Sequence, residues 1–267
     1  SLIANTGRQG HHIDQELQRF QGILAVMATQ IENNVNNATA RKLNARSYTK
    51  KDYTFAPDDL AKSTRYDRAV SLHESVLSFR DDKASNTQAV NALYQSTDAL
   101  KRALLQSGEL EEDADTDADA RQVLFNSTGV PLAWAIVSFN DGVTATYPGH
   151  ARLSEGYDAS MSSWFERHRT EATDAIWGTR NSDENQLDYV LPCVQNLFDD
   201  DKNHIGKAAI MLPYSYIIDD LISIETLGDS TEAFLLNDKQ KIVARESMTK
   251  GMSANRKVRR LKEFPYD

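Results

Sequence analysis

Six histidines and a single cysteine are the residues of this 267-residue chain best suited to nucleophilic or metal chemistry. None stands in a catalytic frame. The sequence has no G-x-S-x-G elbow, no H-E-x-x-H pair, no P-loop and no G-x-G-x-x-G fingerprint. His73, His150, His168 and His204 fall on separate predicted elements without metal-ligand spacing, and His11-His12 sits on a solvated helix near one end. Any of them could serve as a pH switch, as any histidine can. Cys193 lies in an apolar run and reads as a small buried hydrophobe rather than a nucleophile. Asp199 to Asn203 carries acidic residues but lacks the glycine and distal glutamate of a calcium loop, so a hairpin turn is predicted. The acid-rich run Glu109 to Asp119 reads as a solvated loop. Neither a metal nor a cofactor is expected, and the chain is read as non-enzymatic.

A second chemistry is open to it. Trp134, Tyr147, Tyr157, Trp164, Phe165, Trp177 and Tyr189 form an aromatic-rich stretch of sequence. Aromatics with a few polar groups line concave small-molecule sites. The same residues could equally pack a sheet against its helices. The net charge of -9 disfavours nucleic acid, whose phosphates require a basic surface, and adhesion to anionic lipid.

The elements that would position these residues fall into two halves. Ile13, Leu17, Phe20, Leu24, Met27 and Ile31 recur in steps of four and three, one apolar seam on a helix predicted from Gln9 to Leu43. Such a helix would reach about 50 Å. Its seam could pack on its own domain, or form a spine that also carries a homodimer contact. A second helix is predicted from Asp58 or Asp59 to Arg80, with Leu60, Ala69, Leu72, Val76 and Phe79 on its apolar face. A third is marked by Val90, Leu93, Leu100 and Leu104. Past Gly129 strands take over: Ala133–Phe139, a turn at Asn140-Asp141-Gly142, and Val143–Tyr147. Further strands are predicted at 172–177, 187–195 and 205–212, a helix at 214–222, and a last hairpin at 233–236 and 241–244. Helices first and then an antiparallel sheet predict an α+β fold. No run of the ~20 apolar residues needed to span a bilayer occurs. The chain reads as a segment of a larger protein, with any membrane helices lying outside it.

Four blocks carry a family resemblance. Trp134 to Gly142 followed by Tyr147-Pro148-Gly149 resembles the first hairpin of the double Cache (PAS-like) sensors. Gly156 to Phe165 is similar to that family's "Y-D-P-R-x-R-P-W-Y" segment. Tyr189 to Leu221 resembles its next two strands and short helix, and Phe234 to Ala244 its second-unit hairpin. The resemblance implies the extracytoplasmic, periplasmic sensing region of a bacterial transmembrane receptor, a sensor histidine kinase first, with a chemotaxis receptor or diguanylate cyclase as alternatives. A structural or protein-interaction module without a ligand is the reading of another class. The resemblance also implies a spine helix over 1–44, a larger membrane-distal unit over 45–222 and a smaller membrane-proximal unit over 223–267.

It further implies a small-molecule site in the distal unit, lined by Trp134, Tyr147, Tyr157, Asp158, Ser162, Trp164, Phe165, Arg167, Tyr189 and Met211. Asp158 could instead cap a helix over 161–169. In amino-acid-sensing members an arginine two places before the tryptophan grips the carboxylate, and a later aspartate holds the ammonium. Those positions are Ser162 and Met211 here. Both charged anchors are absent, so the expectation is a solute other than an amino acid. Arg167 and Arg169 form a solvated helix face, or one of them replaces the missing arginine.

Overall fold

The computed structural model describes residues 2–40, 59–63, 65–66, 68–79, 87–108, 130–150, 172–178, 190–222, 234–236 and 242–245. Helix α1 spans Leu2–Ala40 and helix α2 spans Thr87–Ser107. The strands are β1 Ala61–Ser63, β2 Arg68–Ser71, β3 Val76–Phe79, β4 Trp134–Phe139, β5 Val143–Tyr147, β6 Gly149–His150, β7 Ile176–Trp177, β8 Val190–Phe198, β9 His204–Pro213, β10 Phe234–Leu236 and β11 Ile242–Arg245. Strands β3-β5-β4-β9-β8-β7 form one six-stranded antiparallel sheet. Strands β1-β2-β6 make a small second sheet, and β10-β11 a separate hairpin. The fold is α+β, a long N-terminal helix leading into antiparallel sheets.

The four-and-three seam of α1 does what its spacing predicts. Ile13, Phe20, Leu24, Met27 and Ile31 are buried, Leu17 partly so. Burying each large side chain contributes roughly 1.5–3 kcal/mol. The seam packs inside its own domain, so a contact between copies would have to use another face of the helix. Polar side chains tie α1 along its length. Arg19 donates to the Ser107 carbonyl at 3.1 Å and to Gln106 at 3.3 Å, placing a cation at the C-terminal end of α2. Gln21 Nε2 donates to Ala175 O at 2.8 Å, and Glu32 Oε1 accepts the Phe198 N–H at 2.8 Å. Asn36 Nδ2 reaches Asp200 Oδ1 at 2.7 Å.

The second predicted helix is not there. Leu60, Ala69, Leu72, Val76 and Phe79 fall on or beside β1, β2 and β3. Ser71 Oγ accepts the N–H groups of His73 at 3.2 Å and Glu74 at 3.0 Å. This serine turn competes with helix formation. Beyond it, Val76–Phe79 pairs along β5 instead. The predicted strand over 172–177 is confined to Ile176–Trp177. The other predicted elements from α2 onward appear with ends moved by a few residues. The expected helix after β9 is one α turn, Tyr214–Tyr216, continuing as the π-wound Ile217–Ile222. The acid-rich run at 109–119 lies outside the described residues.

The β4–β5 turn is built as the Asn-Asp-Gly sequence requires. Gly142 takes φ 88, which side chains rarely adopt, and its N–H donates to Phe139 O at 3.0 Å. Asp141 Oδ1 accepts the Val143 N–H at 3.2 Å. The turn at 199–203 is closed by Asp199, whose carboxylate accepts the Asn203 N–H at 2.8 Å and side-chain amide at 3.0 Å. Those bonds hold the Asp199 carboxyl below its usual range.

Candidate functional site

Strand alternation divides the six-stranded sheet into two unlike faces. The register sets Trp134, Ile136 and Ser138 of β4 beside Met211, Ala209 and Lys207 of β9. Pro192, Val194 and Asn196 of β8 continue that face on one side, and Thr146 and Thr144 of β5 on the other. The opposite face carries Ala135, Val137 and Phe139, then Ile210, Ala208 and Gly206, then Leu191, Cys193, Gln195 and Leu197. It is apolar apart from Gln195, the surface that the seams of α1 and α2 require. Both helices pack across these central strands. The first face is mixed, yet Ser138, Thr144, Thr146, Asn196 and Lys207 on it are all buried. Buried polar groups cost free energy unless partnered, so their clustering on one face marks it as the candidate site.

At one end of this face Trp134 is held by a ring cluster. Its indole lies 4.8 Å from the Tyr66 ring and 5.1 Å, edge-on, from the His150 ring. Tyr66 donates its hydroxyl to Ala133 O at 2.9 Å, and burial pushes its phenol up to about 12. Arg65 lies 5.6 Å over the Tyr66 ring and donates to Leu132 O at 3.0 Å.

The other end of the face is polar. Ser138 Oγ and Thr144 Oγ1 share a hydrogen bond of 2.8 Å. Lys207 stands between Ser138 and Asn196 in the register and is 3% exposed. Desolvation lowers its pKa. Asn196 Nδ2 donates to Ala172 O at 2.7 Å, and Asn196 Oδ1 lies 3.2 Å from His204 Nε2. Asn140 Nδ2 donates to His204 O at 2.7 Å and lies 3.2 Å from His204 Nδ1. The two ring contacts together fit the tautomer with hydrogen on Nε2, because an amide nitrogen cannot accept.

Of the residues expected to line a site, Trp134 and Met211 are paired across β4 and β9 on the mixed face. Tyr147 stands opposite Ala135 and so on the other face, fully buried, donating its hydroxyl to Leu72 O at 2.8 Å. Tyr157, Asp158, Ser162, Trp164, Phe165, Arg167 and Tyr189 lie outside the described residues, as does Arg169. Cys193 is buried on the apolar face, and burial pushes its thiol well above the ordinary range. Among the described residues no group of three or more His, Cys, Asp or Glu is arranged to hold a metal ion. None of their helices is long and apolar enough to cross a membrane.

Sequence reasoning passed over Ser138, Thr144, Thr146, Asn196, Lys207 and Tyr66. Lys207 left a signal: it is a lone cation inside the run Ile205 to Leu212. Tyr66 left none, because it reaches Trp134 only through the fold of β1 and β2.

No protein-family model matches the chain, and no curated protein matches it. Among solved structures it is similar to the ligand-binding domain of the Pseudomonas aeruginosa PAO1 chemoreceptor PctB in complex with L-Gln. That match has 14% identity and a TM-score of 0.38, covering 56% of this chain and 58% of the other. It is also similar to the Campylobacter jejuni chemoreceptor Tlp3 domain with 4-methylisoleucine (16% identity, TM-score 0.40, 91% of this chain and 73% of the other). A third is the Pseudomonas fluorescens chemoreceptor CtaA domain with L-isoleucine (13%, TM-score 0.36, 53% and 57%). The chain thus spans 58% of the length of the PctB domain. Ligand-binding domains of bacterial receptors are the class to which the sequence resemblance points.

The expectation that the solute is not an amino acid is corrected by these findings, since the similar domains hold L-Gln, L-isoleucine and 4-methylisoleucine. Physically, Ser162 and Met211 remove one way of gripping an amino acid. They do not remove amino acids as a class.

Proposed function

We propose that this chain is the extracytoplasmic ligand-sensing region of a bacterial transmembrane receptor of the double Cache type. The observation that carries the reading is the mixed face of the six-stranded sheet, where buried Ser138, Thr144, Thr146, Asn196 and Lys207 adjoin Trp134 and Met211. A face that served only packing would be apolar like its opposite. In this reading residues 1–44 are the spine, 45–222 the membrane-distal sensing unit and 223–267 the membrane-proximal unit. In this reading Tyr157, Asp158, Ser162, Trp164, Phe165, Arg167 and Tyr189 also belong to the site. A solute that binds one arrangement of the sheet more tightly shifts the population toward it. The shift passes to α1 through Glu32 and Asn36, which hold the helix to the β8 end and the β8–β9 turn. The membrane helices and the output module belong to the parent protein, for which a sensor histidine kinase is proposed, with a chemotaxis receptor as the alternative.

The test is thermal unfolding of the chain against amino acids, organic acids, amines, sugars and nucleobases. A solute at ~100 times its dissociation constant stabilises the native state by about 2.7 kcal/mol. A shift with one chemical class supports the sensing role. No shift across the panel refutes it and leaves an interaction module.

A further inference from the structure

We propose that the β10–β11 hairpin docks on an anionic bilayer surface, with Phe234 and Leu236 entering the headgroup layer and the cations of the same segment meeting lipid phosphates. This goes beyond the sensing role proposed above and stands on other residues. Four large apolar side chains are exposed among the described residues, and two of them, Phe234 at 49% and Leu236 at 52%, are on β10. They alternate with Leu235, so they share the outer face of that strand. Leu235 turns the other way and packs against the core, paired with the buried Ala244 of β11. β11 in turn packs beside the π-wound Ile217–Ile222. The hairpin is thus fixed to the domain by its inner face, and its outer face offers an apolar pair to the solvent. Single exposed apolar residues are ordinary, but an adjoining pair on one face of a three-residue strand is a contact surface.

The charge of the segment names the partner. Between Ala233 and Lys262 the sequence has nine Lys or Arg against two Asp or Glu, a net of +7 in a chain whose total is -9. Three of these cations belong to the hairpin. Arg245 is paired with Phe234 across the ladder, and Lys239 and Lys241 lie in the five residues that join Leu236 to Ile242. Connectivity alone keeps the Cα atoms of both lysines within about 11 Å of Leu236 or Ile242, the span of three extended residues. Arg256, Lys257, Arg259, Arg260 and Lys262 follow in sequence. Exposed apolar side chains among cations suit an anionic interface: the apolar pair leaves water while the cations gain from the surface potential. The whole-chain charge opposes such a surface. Salt confines the attraction to charges within about 8 Å of it, so the sign of the local segment decides.

The experiment is flotation of the whole chain with vesicles of phosphatidylcholine alone and of phosphatidylcholine with about one third phosphatidylglycerol. The chain floats with the anionic vesicles at ~0.1 M salt, and raising salt to ~0.5 M weakens the partition by about tenfold or more. Phosphatidylcholine vesicles hold it less well by a similar factor. Phe234→Ser with Leu236→Ser weakens partition into anionic vesicles by about tenfold or more, while the unfolding midpoint stays near that of the wild type because both side chains are exposed. Lys239→Gln with Lys241→Gln weakens it by about tenfold as well. If the serine pair unfolds the chain, the two vesicle compositions and the lysine pair still decide. No flotation with anionic vesicles overturns the proposal, and so does equal flotation with both compositions. Full partition by the serine pair overturns it too, as does full partition by the lysine pair. Retention on immobilised heparin without vesicle binding would show a surface for soluble polyanions instead, and would also overturn it. None of these results bears on the sensing role, which the solute panel tests separately.

Discussion

Removing one oxygen from Tyr147 separates packing from recognition. The ring is fully buried on the face opposite Trp134, and its hydroxyl donates to Leu72 O at 2.8 Å. Tyr147→Phe keeps the ring and its apolar burial. It leaves the Leu72 carbonyl without this donor, a cost of about 1–3 kcal/mol for a buried acceptor. For a domain of this size each kcal/mol lowers the midpoint by roughly 2–4 °C. The expected fall is therefore about 2–12 °C in differential scanning calorimetry. Affinity for any solute that stabilises the wild type should stay within about twofold, because the phenol does not reach the mixed face. An unchanged midpoint together with lost affinity would place Tyr147 in the site and refute the division of the sheet into two faces.

Other expectations follow from the same structure. A Cβ on Gly206 would stand 2.4 Å from the Ser138 carbonyl oxygen and 2.9 Å from the Phe139 Cα, both backbone atoms. Gly206→Ala should cost about 1–3 kcal/mol or more by forcing β4 and β9 apart, read as a lowered urea midpoint. Glu32→Ala removes the acceptor of the Phe198 N–H and should cost about 1–2 kcal/mol, with faster amide exchange at Phe198 as its local signature. In alkali, the Tyr66 and Tyr216 phenols ionise near 12 in the folded state and near 10 when unfolded. The unfolded chain loses these protons first, so stability should fall as pH rises from 10 to 12. Tyr66→Phe should flatten that fall in chemical denaturation measured at several pH values. Lys207, lowered in the folded state, acts in the opposite sense, but its window lies below about 10.5 and leaves the fall above it intact.

Much of the architecture was legible because long periodic elements speak clearly. The seam from Ile13 to Ile31 announced α1, and Asn140-Asp141-Gly142 fixed the β4–β5 turn. The segment from Leu60 to Phe79 misled, because its apolar residues fit a helical period while Ser71 and the pairing of β3 with β5 decided otherwise. For the candidate site, motif order singles out Trp134 and Met211 but not the face they share. Faces are set by register between strands far apart in sequence, and a one-residue change would exchange them. Sequence alone therefore groups Tyr147 with Trp134 and assigns no face to Lys207, although Lys207 stands alone in an apolar strand.

Recognition at the mixed face is tested most directly by the indole N–H signals. Trp134 stands on that face and Trp177 shares the face of Cys193. The spectrum of chain labelled with nitrogen-15 tryptophan should be recorded with and without the solute that stabilises it most. The Trp134 signal should move while that of Trp177 stays. Movement of Trp177 alone, or of neither at saturating solute, would contradict it.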